Sequence, residues 1–196
     1  MGLGETVVAA VAPHPAVRRI ELVGSRAEGR ATQWSDWDFG VQASDFAAVA
    51  EALPMLLVPL EPLVQQWDRL SSEQCWMLIL SGPVKVDLIF FEEAHVPEEA
   101  WKAGPGTLAG IDSHFWDWML WLRSKEASGK SDLVATELGK LFAHLLAPLG
   151  AGRAPSSVLD AVEVYRAVRD RAERRFGAVV SRRVELAVAP ALANGS

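Results

Sequence analysis

Val23-Gly24-Ser25-Arg26-Ala27-Glu28-Gly29-Arg30-Ala31-Thr32-Gln33-Trp34-Ser35-Asp36-Trp37-Asp38-Phe39-Gly40-Val41 decides how this chain of 196 residues folds. Ile20-Glu21-Leu22-Val23 leads into it as a short apolar-rich strand that breaks at Gly24-Ser25. A polar linker follows, and then Asp36-Trp37-Asp38-Phe39-Gly40-Val41, where two carboxylates alternate with large apolar residues. Strand side chains alternate faces, so Asp36 and Asp38 are expected on one face, roughly 7 Å apart, with Trp37, Phe39 and Val41 on the core side. Two neighbouring aspartates repel each other unless a cation sits between them. That pattern asks for a metal.

Gly24-Ser25 suits a phosphate. A strand that ends in Gly-Ser and passes directly into a helix presents backbone N–H groups and a hydroxyl, and glycine lets a ligand approach the backbone closely. Gly24-Ser25, ten intervening residues and Asp36-x-Asp38, with Val23, Trp37 and Phe39 as flanking hydrophobics, resemble the signature of the nucleotidyltransferase superfamily that includes the DNA polymerase β type.

Composition sets wider bounds. Half the residues are hydrophobic and the net charge is −6, as expected of a folded, soluble chain. No apolar run approaches the roughly 20 residues of a membrane span, and no secretory leader is read at the N-terminus. A single cysteine, Cys75, excludes an intrachain disulfide and points to a cytoplasmic location; its apolar context predicts a buried, inert thiol. Residues 1–104 hold 7 Lys+Arg against 15 Asp+Glu, and residues 105–196 hold 12 against 10. An acidic N-terminal half argues against a long nucleic acid as partner, because phosphate backbones need clustered cations.

Three short matches are set aside as chance: the myristoylation-like Met1-Gly2-x-x-x-Thr6, the sequon Asn194-Gly195-Ser196, and Gly129-Lys130-Ser131, whose P-loop would need glycine where Ser124 stands.

Along the chain, residues 5–12 read as a helix ending at Pro13-His14-Pro15, with His14 a turn residue. Residues 17–23 and 37–43 are strands, and Ser44-Asp45 caps a helix to about Leu53. Prolines 54, 59 and 62 leave residues 63–70 as a modest strand; residues 75–80 form a stronger one, turning at Ser81-Gly82-Pro83 into residues 84–91. In that last strand Val84, Val86, Leu88 and Phe90 share one face, and Lys85, Asp87 and Ile89 the other. A charge inside so apolar a strand is expensive unless paired, or unless the strand is an edge facing water. Lys85 is placed to pair with it or to touch phosphate.

Residues 92–106 read as a linker, and everything beyond as helical. Asp112 or Ser113 is expected to cap a helix to Ser128, with Phe115, Trp118, Met119 and Leu122 as its apolar face and Trp116 and Trp121 off that face, available to another surface or a planar ligand. Ser131 caps a second helix ending at Pro148, Ser156 or Ser157 starts a third through Phe176, and a last helix runs over residues 178–189. The fold class is therefore α+β: a small mixed sheet flanked by helices (residues 1–104), followed by a C-terminal helical bundle (residues 105–196).

The superfamily resemblance implies more. Asp36 and Asp38 would bind two Mg²⁺ ions, and Asp87, on an adjacent strand, would complete the acidic triad. Gly24, Ser25 and Arg26 would hold the phosphates of a nucleoside triphosphate. The resemblance is specific over residues 17–91. A short catalytic domain followed by a helical bundle looks like the aminoglycoside nucleotidyltransferases, implying AMP transfer from ATP to the hydroxyl of a small molecule, with residues 105–196 binding the acceptor. Some relatives use a carboxylate from the helical part as general base, for which Asp117, Glu126 and Glu137 are candidates here beside their role as surface charges. Minimal nucleotidyltransferases of the same motif act instead as antitoxins that bind, and in some cases adenylylate, a helical toxin; a partner protein or oligomer is the alternative. Relatives often place a basic residue where this chain has Glu28.

Overall fold

The computed structural model describes residues 2–193. Met1 and the sequon Asn194-Gly195-Ser196 lie outside the described residues. The chain forms two compact units, residues 1–97 and 98–196.

The first unit is a five-stranded mixed sheet with helices on its apolar face. Its elements are α1 (Leu3–Val11), β1 (Val17–Val23), α2 (Gly24–Ala27), β2 (Trp37–Ala43), α3 (Phe46–Leu56), a 3₁₀ turn (Val58–Leu60), β3 (Val64–Trp67), β4 (Glu73–Leu80) and β5 (Val84–Ala94). The strand order is β1-β2-β5-β4-β3. All pairs are antiparallel except β2 with β5, which run parallel. The parallel pair needs a long crossover, and the chain supplies it as α3 and the β3–β4 hairpin. Asp45 starts α3 by accepting the Ala48 N–H at 3.1 Å.

Strand alternation sorts the side chains as expected. Phe39, Val41, Val86, Leu88, Phe90 and Leu78 join Val7 and Val11 of α1 and Val49 and Leu53 of α3 in one buried cluster. Trp37 packs on that side, close enough to α1 that a Cβ at Gly4 would lie 2.9 Å from its ring. Cys75 is buried on β4. His14 is a turn residue whose Nδ1 accepts the Ala16 N–H.

The second unit contains α4 (Leu108–Ala127), α5 (Ser131–Leu141), a π-helical turn (Phe142–Leu146), α6 (Val158–Phe176) and α7 (Arg183–Ala193). α4 starts at an N-cap of Thr107, not at Asp112 or Ser113. Asp112 lies inside the helix and is buried, where its carboxylate accepts from Tyr165 Oη at 2.6 Å and Trp116 Nε1 at 3.2 Å. The amphipathic stripe underestimates this helix because it is covered on several sides: Ile111, Phe115, Trp116, Met119, Leu120 and Leu122 are all buried. Trp116, expected off the core face, is fully buried edge-on to Tyr165, whereas Trp118 is half-buried against His114. Trp121 is half-buried, with Lys125 Nζ 4.7 Å from its ring.

Ser157 caps α6 through the Asp160 N–H, and Gly177 ends it at φ 63°, in the left-handed conformation open to glycine. α7 begins at Arg183, later than the expected residue 178, because Val180 N–H and Arg182 are both held by Glu173. Among the described residues no helix is long and apolar enough to cross a membrane.

Candidate functional site

The site is built where β1 ends and β2 and β5 run side by side. Val23 pairs with Asp38 across the antiparallel β1–β2 ladder, and Asp38 pairs with Asp87 across the parallel β2–β5 ladder. Directly registered neighbours project from the same face, so the sheet sets Asp38 and Asp87 next to each other. β5 is an interior strand between β2 and β4, which disposes of an edge position for Asp87. The face opposite these carboxylates carries Phe39, Val86 and Leu88, so core burial sets the register that brings the acids together.

At Gly24 the chain turns out of β1 at φ 67°. A Cβ there would lie 2.6 Å from Asp38 Oδ2, so both the conformation and the space require glycine. The Asp38 carboxylate thus rests directly on the Gly24 backbone. Gly40, two residues along β2, faces the same side, where an added Cβ would meet Phe91 at 3.2 Å and Val23 at 3.4 Å.

Asp36 is buried, but β2 begins at Trp37, so Asp36 belongs to the incoming loop and not to the strand. Arg26 anchors that loop. Its Nε donates to the carbonyls of Ser35 and Asp36 at 3.1 and 3.0 Å, its NH2 donates to Ser35 at 2.6 Å, and its guanidinium stacks 4.2 Å above the Trp37 ring. Burial pulls the Arg26 pKa below the ordinary arginine value, and the negative charges of Asp36 and Asp38 oppose that shift. In this structure the guanidinium is spent on the loop backbone, a role the motif alone does not suggest. The signal was the ten-residue spacing, which brings the loop back past the short helix.

Lys85 is the cation on this face. Its Nζ lies 2.7 Å from Asp87 Oδ1, with both side chains largely buried. Of the two roles open to it in the sequence, pairing with Asp87 is the one observed. Glu28 is exposed and ion-paired to Arg30, which compensates its charge locally.

Oxygen donors on adjacent strands, with no thiolate or imidazole among them, are the donor type that hard divalent cations such as Mg²⁺ take. The Asp38–Asp87 pair, with the Asp38 carboxylate against the Gly24 backbone, fits such an ion beside a phosphate. Among the described residues, no three His, Cys, Asp or Glu side chains are gathered closely enough to hold a metal; the sheet register sets Asp38 beside Asp87, and Asp36 precedes the strand in the incoming loop. In the helical unit, Asp117 is buried, Glu126 pairs with Arg123 at 3.6 Å, and Glu137 pairs with Lys140 at 2.7 Å.

No family model matches this chain, and no curated protein sequence does. Solved structures superpose on it at low identity. An aminoglycoside 6-adenyltransferase from Bacillus subtilis aligns over 97% of this chain and 96% of its own, with 9% identity and a TM-score of 0.36. A GLD-2/RNP-8 complex aligns over 83% of this chain and 47% of that one, with 17% identity and a TM-score of 0.35. The polymerase core of TRAMP, an RNA surveillance complex, aligns over 83% and 54%, with 11% identity and a TM-score of 0.37.

Proposed function

We propose that this chain is a Mg²⁺-dependent nucleotidyltransferase that moves a nucleoside monophosphate, AMP from ATP, onto a hydroxyl of a small aminoglycoside-like acceptor. The observation that carries this is the in-register pairing of Asp38 with Asp87, with the Asp38 carboxylate resting on Gly24. Asp38 and Asp87, the pair set in register, would hold the metal, and the Asp36 carboxylate would approach it from the preceding loop. When bound, two divalent ions offset the charge of the phosphates and of the attacking oxygen in an in-line displacement.

The chain's own residues do the positioning. Gly24 has no side chain to obstruct the β- and γ-phosphates, and Ser25 adds a hydroxyl and an N–H beside it. Arg26 holds the Asp36 loop through two carbonyls, which fixes Asp36 relative to β2. Lys85 orients Asp87 toward the same face. The acceptor hydroxyl gives up its proton to water as its oxygen forms a bond to the α-phosphorus, the bond from that phosphorus to the bridging oxygen breaks, and pyrophosphate leaves. This demands placement and charge compensation more than covalent chemistry. Residues 105–196 would supply the acceptor surface.

The test has two parts. Calorimetry should show Mg-ATP binding that Asp38→Ala abolishes; equal affinity in the variant removes the metal role. Labelled ATP should then be offered with aminoglycosides, lincosamides and any co-purifying protein. Label on a small molecule supports the proposal, whereas label on a protein alone overturns it in favour of the antitoxin-type alternative.

A further inference from the structure

The arginines of the helical unit divide into two groups. Arg166 pairs with Glu163 and Glu185, Arg169 with Asp170 and Glu185, Arg153 with Asp160, and Arg182 with Glu173. Arg171, Arg174 and Arg175, toward the end of α6, have no carboxylate within ion-pair distance among the described residues. Arg171 makes only a long 3.4 Å bond to the Gly150 carbonyl, and Arg175 lies over the Phe176 ring. All three are exposed and border one concavity of about 510 Å³, floored by Pro148, Leu149 and Phe176.

Spacings of three and four residues put these guanidiniums side by side on the helix, where like charges repel. The helix dipole favours cations in the last turn, but Arg171 lies outside that turn. The chain is acidic overall and balances its other α6 arginines individually, so three uncompensated ones around an apolar floor are a built preference for an anion. Guanidinium forks match phosphate oxygens bidentately. The concavity is within the roughly 300–1,000 Å³ typical of small-molecule sites. An apolar floor beneath the charges suits a ligand with an organic body better than a bare ion.

We propose that this concavity is a second ligand site, which takes a small organic phosphate carrying about two negative charges. The phosphate is held by Arg171, Arg174 and Arg175, and the apolar body packs against Pro148, Leu149 and Phe176. All of these residues belong to the second unit.

The full chain carrying Asp38→Ala, in metal-free buffer with EDTA, isolates this site from the first. Calorimetric titration should give phenyl phosphate at least threefold tighter binding than inorganic phosphate. The triple change Arg171→Gln/Arg174→Gln/Arg175→Gln should weaken phenyl phosphate at least tenfold, and the triple Lys variant distinctly less. Arg174→Gln alone, at an exposed position, should weaken it about threefold, which keeps the test open if the triple variant fails to fold by circular dichroism. Affinity unchanged by these variants, or equal affinity for the two phosphates, overturns the proposal. So does a 12-nucleotide RNA that binds more tightly than phenyl phosphate and loses affinity in the same variants, since that would make the patch a nucleic-acid surface.

Discussion

Gly24→Ala tests the site against a control already present in the chain. Gly24 and Gly29 have nearly the same left-handed conformation, φ 67° and 69°. A Cβ at Gly24 would lie 2.6 Å from Asp38 Oδ2, whereas a Cβ at Gly29 would meet nothing within 4 Å. Forcing alanine into this conformation costs about 1–2 kcal/mol at either position. For the first unit, of about 100 residues, that is a fall in melting temperature of roughly 4–16 °C. The contact is specific to Gly24. At 2.6 Å the methyl is well inside the roughly 3.5 Å of an ordinary nonbonded contact, so either the Asp38 carboxylate rotates away or the turn opens. Loss of one charge-assisted contact to the metal is worth on the order of 1.5–3 kcal/mol, about 10- to 150-fold in Mg-ATP affinity. Differential scanning calorimetry should therefore show similar destabilisation in both variants, with a surplus for Gly24→Ala. Titration calorimetry should show weakened Mg-ATP binding in Gly24→Ala alone. If both variants bind Mg-ATP like the parent, Asp38 is not where the nucleotide's metal sits.

Lys85→Met should destabilise the first unit by on the order of 3 kcal/mol, because it leaves Asp87 buried without its cation. Added Mg²⁺ should raise the melting temperature of that variant more than that of the parent; an equal rise would mean that Asp87 does not share a cation site. In the helical unit, burial raises the Asp112 pKa from 3.8 to about 6, against the opposing effects of Tyr165, Arg169 and Trp116. The proton is bound more tightly in the folded state, so this contribution is fully present below about pH 4 and is lost as pH rises through 6, up to about 3 kcal/mol in all. Asp112→Asn should flatten the stability profile between pH 4 and 6.5 in denaturant titrations, and an unchanged slope would refute that assignment. Ser157→Ala removes the cap on the Asp160 N–H and should cost about 1 kcal/mol in the same assay.

Much of the first unit was legible because each strand has its own alternation. Residues 17–23 and 37–43 form strands at the expected positions, and Lys85 and Asp87 face away from Val86 and Leu88 as the pattern requires. Strand order was another matter. Asp38 and Asp87 are separated by the whole crossover, and no local signal says that β2 and β5 pair, or pair in parallel; the superfamily resemblance supplied the adjacency of the two strands, and the structure their parallel direction. The strand starts at Trp37 as expected, but Asp36 does not share its face with Asp38: the alternation continues back through Asp36, while the Arg26 anchor, a contact across ten residues, holds that backbone out of the ladder. In α4 the failure has the opposite origin. Asp112 has the chemistry of a cap, but Tyr165 and Trp116 satisfy its carboxylate inside the unit, and Tyr165 comes from a helix far along the chain. Polar residues in helices read as ends when their partners are distant in sequence.

The parallel β2–β5 pair explains why the apolar side of this sheet matters to its acidic side. A slip of one residue between these strands would turn Asp87 toward α1 and α3, and would bring Val86 or Leu88 up beside Asp38. Such a slip is opposed by the fully buried Val86, Leu88 and Phe90 of β5, each of which is worth about 1.5–3 kcal/mol inside the core. Holding two carboxylates side by side costs far less than exposing three such side chains, particularly with Lys85 against one of them and Gly24 against the other. The site can therefore keep a charge repulsion that a weaker core would relieve by shifting register. A cavity in that core, as in Leu88→Ala, should accordingly loosen the carboxylate pair before it unfolds the unit. The expected sign is a loss of Mg²⁺-dependent stabilisation larger than the loss of stability alone accounts for. If Leu88→Ala lowers the melting temperature while the increment from Mg-ATP stays at its parental value, the core does not set the geometry of the pair.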